Sequence, residues 1–169
     1  IVGGGPAGLS AAIYMARARF RVLVIEKEKM GGQITITSEV VNYPGVFSTN
    51  GEKLTQEMVR QAKAFGAEFL TATVTSLDLE GDYKTVHTDH GDFVTLGVVY
   101  AAGAHPRLAG FTGESDFRGH GVAYCATCDG EFFTGKDIFV IGGGYAAVEE
   151  ALFLTKYAKH IYQVVRGDD

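Results

Sequence analysis

The sequence predicts an α/β chain of two lobes, each wound as strand, glycine turn, helix, strand, with an antiparallel three-stranded β-meander inserted in the first. Three observations carry this. The pattern "IV-GGGPAGLSAAIYMARARF-RVLVIEK" fills residues 1–27. The same pattern returns as "KDIFVIGGGYAAVEEALFLTKYAKHIYQVV" at 136–165. Between them, from Ala72 to Thr95, β-branched residues alternate with polar ones, the period of a half-buried strand.

Taken in order, Ile1 and Val2 belong to a strand that stops at the glycines. The helix after it carries small or apolar residues along most of its length and closes on arginines, which suit a helix C-terminus. "RVLVIE" at 21–26 is a continuous apolar run, as in a parallel strand buried on both faces. "MGGQITITSEVVNYPGVFSTN", 30–50, reads as a long loop with two Gly-rich turns. "GEKLTQEMVRQAKAFGAEFL" reads as an amphipathic helix, with Leu54, Met58, Ala62 and Phe65 on one stripe, and then a strand. Breaks at "EGDY" and "DHGD" divide 72–95 into the three strands of the meander. "GVVYAAGA" reads as a further buried strand. The Gly-rich, polar "GFTGESDFRGHG" at 110–121 marks a boundary between domains 1–113 and 114–169.

The bulk properties narrow the function. The chain has 169 residues, 46% of them hydrophobic and 21% charged, enough for one good core or two small ones. A net charge of −5 argues against a nucleic-acid binder, which would show a basic face. No apolar run approaches the roughly 20 residues of a membrane span, and no basic-plus-apolar leader stands at the start. Two cysteines cannot frame a secreted disulfide scaffold; a cytoplasmic protein with one CxxC is the better reading. The chain opens inside a strand and closes just past another, as a segment of a longer protein would.

Gly3, Gly5 and Gly8 form G-x-G-x-x-G straight after a strand and at the start of a helix. The first glycine permits the tight turn, the second lets a pyrophosphate approach the backbone, and the third lets helix and strand pack closely. Glu26 follows at the end of the next strand, where a ribose hydroxyl would need an acceptor. Gly142, Gly144 and Ala147 repeat the motif as G-x-G-x-x-A. Both lobes therefore read as Rossmann-like dinucleotide-binding (FAD/NAD(P)-binding) folds, one for a resident flavin and one for an exchanging nicotinamide. The second acid slot differs, because Gly3 to Glu26 is matched by Gly142 to Val165, and valine accepts no hydrogen bond.

Cys125 and Cys128, followed by Asp129, are read first as a dithiol/disulfide pair, since CxxC beside a dinucleotide fold is a redox arrangement. A start-of-helix position would place the sulfurs within bonding reach and favour a thiolate. Half of a zinc site and a pair of inert core cysteines are the alternatives. Asp129 reads equally as a proton donor and acceptor or as a helix-capping carboxylate.

"GGGPAGLSAA", "GGQI", "VVNYPG", "AAGAHPR", "GFTGE", "GHGVAYCATCDG" and "GGGYAAVEEALFL", in this order and spacing, resemble the low-molecular-weight thioredoxin reductases along essentially the whole chain. The resemblance implies FAD in the first domain, NADPH or NADH in the second, thioredoxin as the disulfide substrate, and a cytoplasmic homodimer. It implies FAD contacts from Gly3, Gly5, Pro6, Ala7, Gly8, Glu26 and Lys27, with Gly32, Gln33 and Asn42 lining the flavin. Val74 and the strand-end residues Ala102, Gly103 and Ala104 join that set. For the nicotinamide nucleotide it implies Gly142, Gly144, Tyr145, Ala146, Ala147 and Arg166. Cys128 is implied to face the flavin, Cys125 to be the more accessible sulfur and to attack the partner disulfide, and Asp129 to be the acid–base residue. A C-terminal segment is implied to complete the FAD domain, and the two lobes to rotate about 110–121.

Three positions depart from that family. Ala102 stands for a threonine, and Tyr145 for a smaller polar residue. A His-Arg-Arg run that grips the 2′-phosphate of NADPH is replaced by Val165, Arg166 and Gly167, with Asp168 and Asp169 behind it. The other readings are the flavoprotein subunit of an alkyl hydroperoxide reductase, a ferredoxin-linked flavin disulfide reductase, and a non-catalytic nucleotide-binding module that senses redox state.

Overall fold

Val2 pairs in parallel with Ile25 on one side and Tyr100 on the other, and this single residue is the whole of the opening strand. The computed structural model describes residues 1–167, so Asp168 and Asp169 lie outside the described residues. It divides into two units, Ile1–His105 and Pro106–Asp169. No helix among the described residues is long and apolar enough to cross a membrane.

In the first unit the chain turns at Gly3, whose φ of +105° favours glycine. Pro6 then opens α1 (Pro6–Arg17) at a position whose N–H has no helical partner. β1 (Leu23–Glu26) pairs in parallel with β2 (Glu68–Thr71), Leu23 opposite Glu68 and Glu26 opposite Thr71. The connection runs through a 3-10 turn at Gly32–Ile36 and helix α2 (Gly51–Ala64). Asn50 caps α2 by accepting the Lys53 N–H at 2.8 Å, a contact worth about 1 kcal/mol. Leu54, Met58 and Ala62 are buried as the stripe predicts. Phe65 is not: α2 ends at Ala64, and the ring lies exposed with the Arg17 guanidinium 5.5 Å above it.

Successive β1 residues sort to opposite faces of the sheet. Val24, fully buried, packs with Ala12, Ala16, Val22, Ala62 and Ala67 beneath the two helices. Ile25 packs with Val2, Ala72 and Val86 on the other face. That second layer is the predicted meander: β3 (Val74–Asp78), β4 (Lys84–Thr88) and β5 (Gly91–Thr95), antiparallel in that order. The expected buried strand at 97–104 is corrected. Only Tyr100 bridges, its neighbours Val99 and Ala101 bond to Val2 at 2.9 and 2.8 Å, and Tyr100 itself is 72% exposed. With only Val2 alongside, the segment has no partner strand long enough to make a ladder.

The second unit contains a one-turn helix α3 (Ala126–Asp129), a 3-10 turn (Gly130–Phe133), β6 (Asp137–Ile141), α4 (Tyr145–Leu154) and β7 (His160–Val164). β6 and β7 are parallel, from Asp137 opposite His160 to Ile141 opposite Val164. Ala126, Val140 and Leu154 form its core, with Ile138, Ala147, Ala151 and Ile161 against them. The units part after His105, upstream of the 113/114 boundary expected from sequence. The cause is local: Glu114 binds the backbone N–H groups of Ala109 and Gly110, which draws them into the second unit.

In the meander His87 on β4 contacts Asp92 on β5 at 2.9 Å and Asp78 on β3 at 3.1 Å. The hydrogen bond to Asp78, with the one to Asp92, raises its pKa above the ordinary histidine value. A raised folded-state pKa means that the stabilisation is fully present below about pH 6.5 and is lost as pH rises through the folded value. Urea unfolding at pH 5.5 and 8.5 should show His87→Gln destabilised relative to wild type at the lower pH and nearly equal to it at the higher.

Candidate functional site

The first glycine loop shows why each glycine stands where it does. A Cβ on Gly3 would lie 2.2 Å from the Ala101 carbonyl oxygen, and one on Gly8 would lie 1.9 Å from the Gly3 carbonyl oxygen. Both positions are closed by backbone. Gly5 is different. Its φ of −75° suits any residue, and the nearest atom to a Cβ there is the Gly32 Cα at 3.9 Å. What Gly5 leaves open is space beside the first turn of a twelve-residue helix, where N–H groups and the helix dipole favour a phosphate. Gly32 (φ +66°) brings its own backbone to the same place, since a Cβ on it would stand 3.0 Å from the Gly5 Cα. Glu26 is half-buried behind the loop. One of its carboxylate oxygens accepts the Gly4 N–H at 2.7 Å and the other the Glu28 N–H at 3.2 Å. Gly3, Gly5, Pro6, Gly8, Glu26 and Gly32 are thus brought together, and the cradle fits a dinucleotide.

The second unit repeats the backbone of this geometry. Gly3 N–H donates to the Ile25 carbonyl at 2.9 Å and Gly142 N–H to the Val164 carbonyl at 2.9 Å. Leu9 N–H donates to Gly5, and Val148 N–H to Gly144. A Cβ on Gly4 would meet the Glu26 Cβ at 3.0 Å, and one on Gly143 would meet the Val165 Cγ1 at 2.4 Å. Val165 therefore occupies the slot of Glu26 and supplies methyl groups where the first unit has a carboxylate. Gly144 has no atom near its Cβ position, a Cβ on Gly142 would stand 3.1 Å from that of Ala147, and Tyr145 and Arg166 are exposed.

Cys125 and Cys128 form a disulfide with Cα atoms 5.3 Å apart. Cys125 precedes α3 in extended conformation, and its carbonyl accepts the N–H groups of Cys128 and Asp129. One expectation changes here. A helix of four residues sums too few peptide dipoles to favour a thiolate strongly. As whole residues, Cys125 is half-buried and Cys128 exposed. Asp129 caps neither helical turn with its side chain. Burial pushes its pKa above the ordinary aspartate value, as a proton-transfer group needs.

The remaining predicted residues are less concentrated. Lys27 is exposed beside Glu28, 3.7 Å away. Gln33 stands on the exposed side of the 3-10 turn. Asn42 lines a shallow hollow formed by residues 41–47, which includes no residue of either glycine loop. Val74 packs against the Val2–Ile25 core. Ala7, Ala102, Gly103, Ala104 and Ala146 are exposed, Gly103 with φ +71°.

Sequence reasoning missed Glu114. Its side chain is buried, accepting Ala109 N–H at 2.9 Å, Gly110 N–H at 2.6 Å and the Tyr124 hydroxyl at 2.9 Å. The Ala109 N–H leads in holding its pKa below the ordinary glutamate range. The Arg118 guanidinium covers the Tyr124 ring at 5.4 Å. The residue before Cys125 is thus fixed at its hydroxyl and at its ring face. An acid in a Gly-rich run, ten residues from its tyrosine, has no periodicity to announce it.

A family model for pyridine nucleotide-disulphide oxidoreductases matches residues 1–169. The thioredoxin reductase of Peptoclostridium acidaminophilum is 47% identical over 170 residues, covering 100% of this chain and 54% of that protein. The bifunctional thioredoxin reductase/thioredoxin of Mycobacterium leprae is 46% identical, covering 100% of this chain and 37% of its own length. The crystal structure of thioredoxin reductase from Streptococcus pyogenes matches with a TM-score of 0.95 at 40% identity, over 99% of this chain and 55% of that one. The chain spans about half the length of the first curated relatives it matches.

The contrast between Gly5 and Gly8 is testable. Gly8→Ala should lower stability by about 1–3 kcal/mol, because a methyl meets a carbonyl oxygen that cannot retreat. Gly5→Ala should unfold within about 0.5 kcal/mol of wild type and yet be isolated with little bound flavin. Urea melts and flavin absorbance per polypeptide would separate the two.

Proposed function

The chain belongs to the pyridine nucleotide-disulphide oxidoreductase family, and on that premise we propose that it is part of a thioredoxin-disulfide reductase that passes electrons from a reduced nicotinamide cofactor, by way of FAD, to thioredoxin. The observation that carries this reading is the Cys125–Cys128 disulfide followed by Asp129, whose pKa burial raises, in the same unit as a second glycine loop. Domain 1–113 is the FAD-binding part and 114–169 the nicotinamide-binding part. The same reading makes the protein a cytoplasmic homodimer.

Each residue has a defined task. Gly5 and Gly32 leave the opening for the FAD pyrophosphate, Gly3 and Gly8 hold the helix that faces it, and Glu26 receives the ribose hydroxyl. Bound there, FAD supplies the two-electron carrier between nucleotide and disulfide. Cys125 and Cys128 store the pair of electrons as a dithiol. Asp129, partly buried and next to Cys128 in the chain, passes a proton to the departing thiolate.

Donor choice follows from Val165. The adenosine ribose of a nicotinamide nucleotide at the second loop meets the methyl groups of Val165, where the first loop has the Glu26 carboxylate to accept a 2′-hydroxyl. A 2′-phosphate meets Arg166 alone of the expected cationic run. An exposed arginine contact is worth about 1 kcal/mol or less, short of the roughly 2.7 kcal/mol that a hundredfold preference needs. The full-length enzyme should therefore discriminate weakly between NADPH and NADH, with a poor KM for both. Steady-state turnover with NADPH, NADH and reduced ferredoxin as donors checks this, and failure to reduce thioredoxin with any of them would refute the function itself. Asp129→Asn should slow oxidation of the prereduced protein by thioredoxin about a hundredfold, while leaving two titratable thiols.

A further inference from the structure

We propose that Thr127 is a catalytic residue of the dithiol, whose hydroxyl donates to Cys125 Sγ and so makes Cys125 the attacking sulfur. The proposal rests on the preceding reading of the pair as redox-active. Thr127 Oγ1 stands 3.4 Å from Cys125 Sγ. A disulfide sulfur carries no proton, so the hydroxyl is the donor. Among the described residues Cys128 Sγ has no such contact.

The surroundings give the hydroxyl its importance. α3 packs against α4 and the 3-10 turn after it. The ionisable groups on these elements are Asp129 on α3, Glu131 on the 3-10 turn, and Tyr145, Glu149 and Glu150 on α4. Glu131, Glu149 and Glu150 disfavour a thiolate near them, no cation offsets them on these elements, and a four-residue helix adds little. The Thr127 hydroxyl acts in the opposite direction, and on one sulfur only.

In the reduced pair, the Cys125 thiolate attacks one sulfur of a protein disulfide. That S–S bond breaks, a mixed disulfide forms, and the released sulfur takes a proton. Cys128 then attacks Cys125 Sγ, the mixed disulfide breaks, and the second partner sulfur leaves and is protonated. Two electrons and the two cysteine protons end on the partner, and the Thr127 proton stays on its oxygen.

The test uses reduced full-length protein carrying Cys128→Ser, with iodoacetamide labelling of the Cys125 peptide followed by mass spectrometry from pH 6 to 10.5. Thr127→Ala should raise the Cys125 thiol pKa by about one unit. Tenfold less thiolate, partly offset by the higher nucleophilicity of a more basic sulfur, makes labelling about threefold slower at pH 7 and about threefold faster at pH 10.5. Thr127→Ser should restore both rates, and in a Cys125→Ser background Thr127→Ala should leave Cys128 labelling unchanged. An unshifted Cys125 profile, or an equal shift at Cys128, overturns the proposal. Labelling needs no turnover, so a wild-type protein that shows the shift but cannot reduce thioredoxin would refute only the parent reading.

Discussion

A β-carbon on Gly8 would lie 1.9 Å from the carbonyl oxygen of Gly3, so helix α1 rests directly on the backbone of the turn that precedes it. The rest of the first unit is arranged around that contact. It holds the N-terminus of α1 at the end of Val2, and it lets Leu9, Ala12 and Ala16 reach the sheet. Behind the turn the Gly4 N–H finds Glu26, which ties the loop to β1. Backbone fills the positions beside Gly3 and Gly8, while the opening is left at Gly5, beside the first turn of α1. Tight packing and open space are separated by residue within one six-residue motif.

The second unit keeps the backbone of this arrangement and changes its chemistry. Turn, helix and parallel strand pair recur with the same hydrogen bonds, but Val165 replaces the carboxylate and packs onto Gly143. A methyl group satisfies the packing and leaves the N–H without that acceptor. Fold is maintained by contacts that valine can make, whereas selection of a ribose hydroxyl needs an oxygen. A site can therefore lose part of its specificity without losing its shape.

Between the two glycine loops, the CxxC is held by a polar cluster. Glu114 spends both carboxylate oxygens on backbone N–H groups and on Tyr124, and Arg118 covers the tyrosine ring. A buried carboxylate is tolerated only when it is hydrogen-bonded in this way. The result is that a glycine-rich stretch, free to wander by composition, has a defined path up to Cys125. Burial also raises the pKas of Tyr124 and Asp129, the residues on either side of the CxxC in the chain.

By itself the sequence determined the repeated strand–turn–helix–strand units and the meander, and it favoured a disulfide between Cys125 and Cys128 over the other readings of the pair. Each is local: a glycine spacing, a period of two, a three-residue separation. Tertiary structure decided what depends on distant neighbours. Tyr100 lies exposed because Val2 alone is beside it, although its segment has the composition of a buried strand. Phe65 leaves its stripe because α2 stops at Ala64. Glu114 became visible only when folding brought residues 109, 110 and 124 around one carboxylate, since hydrogen bonds between separated loops leave no period in the chain for a reader to find.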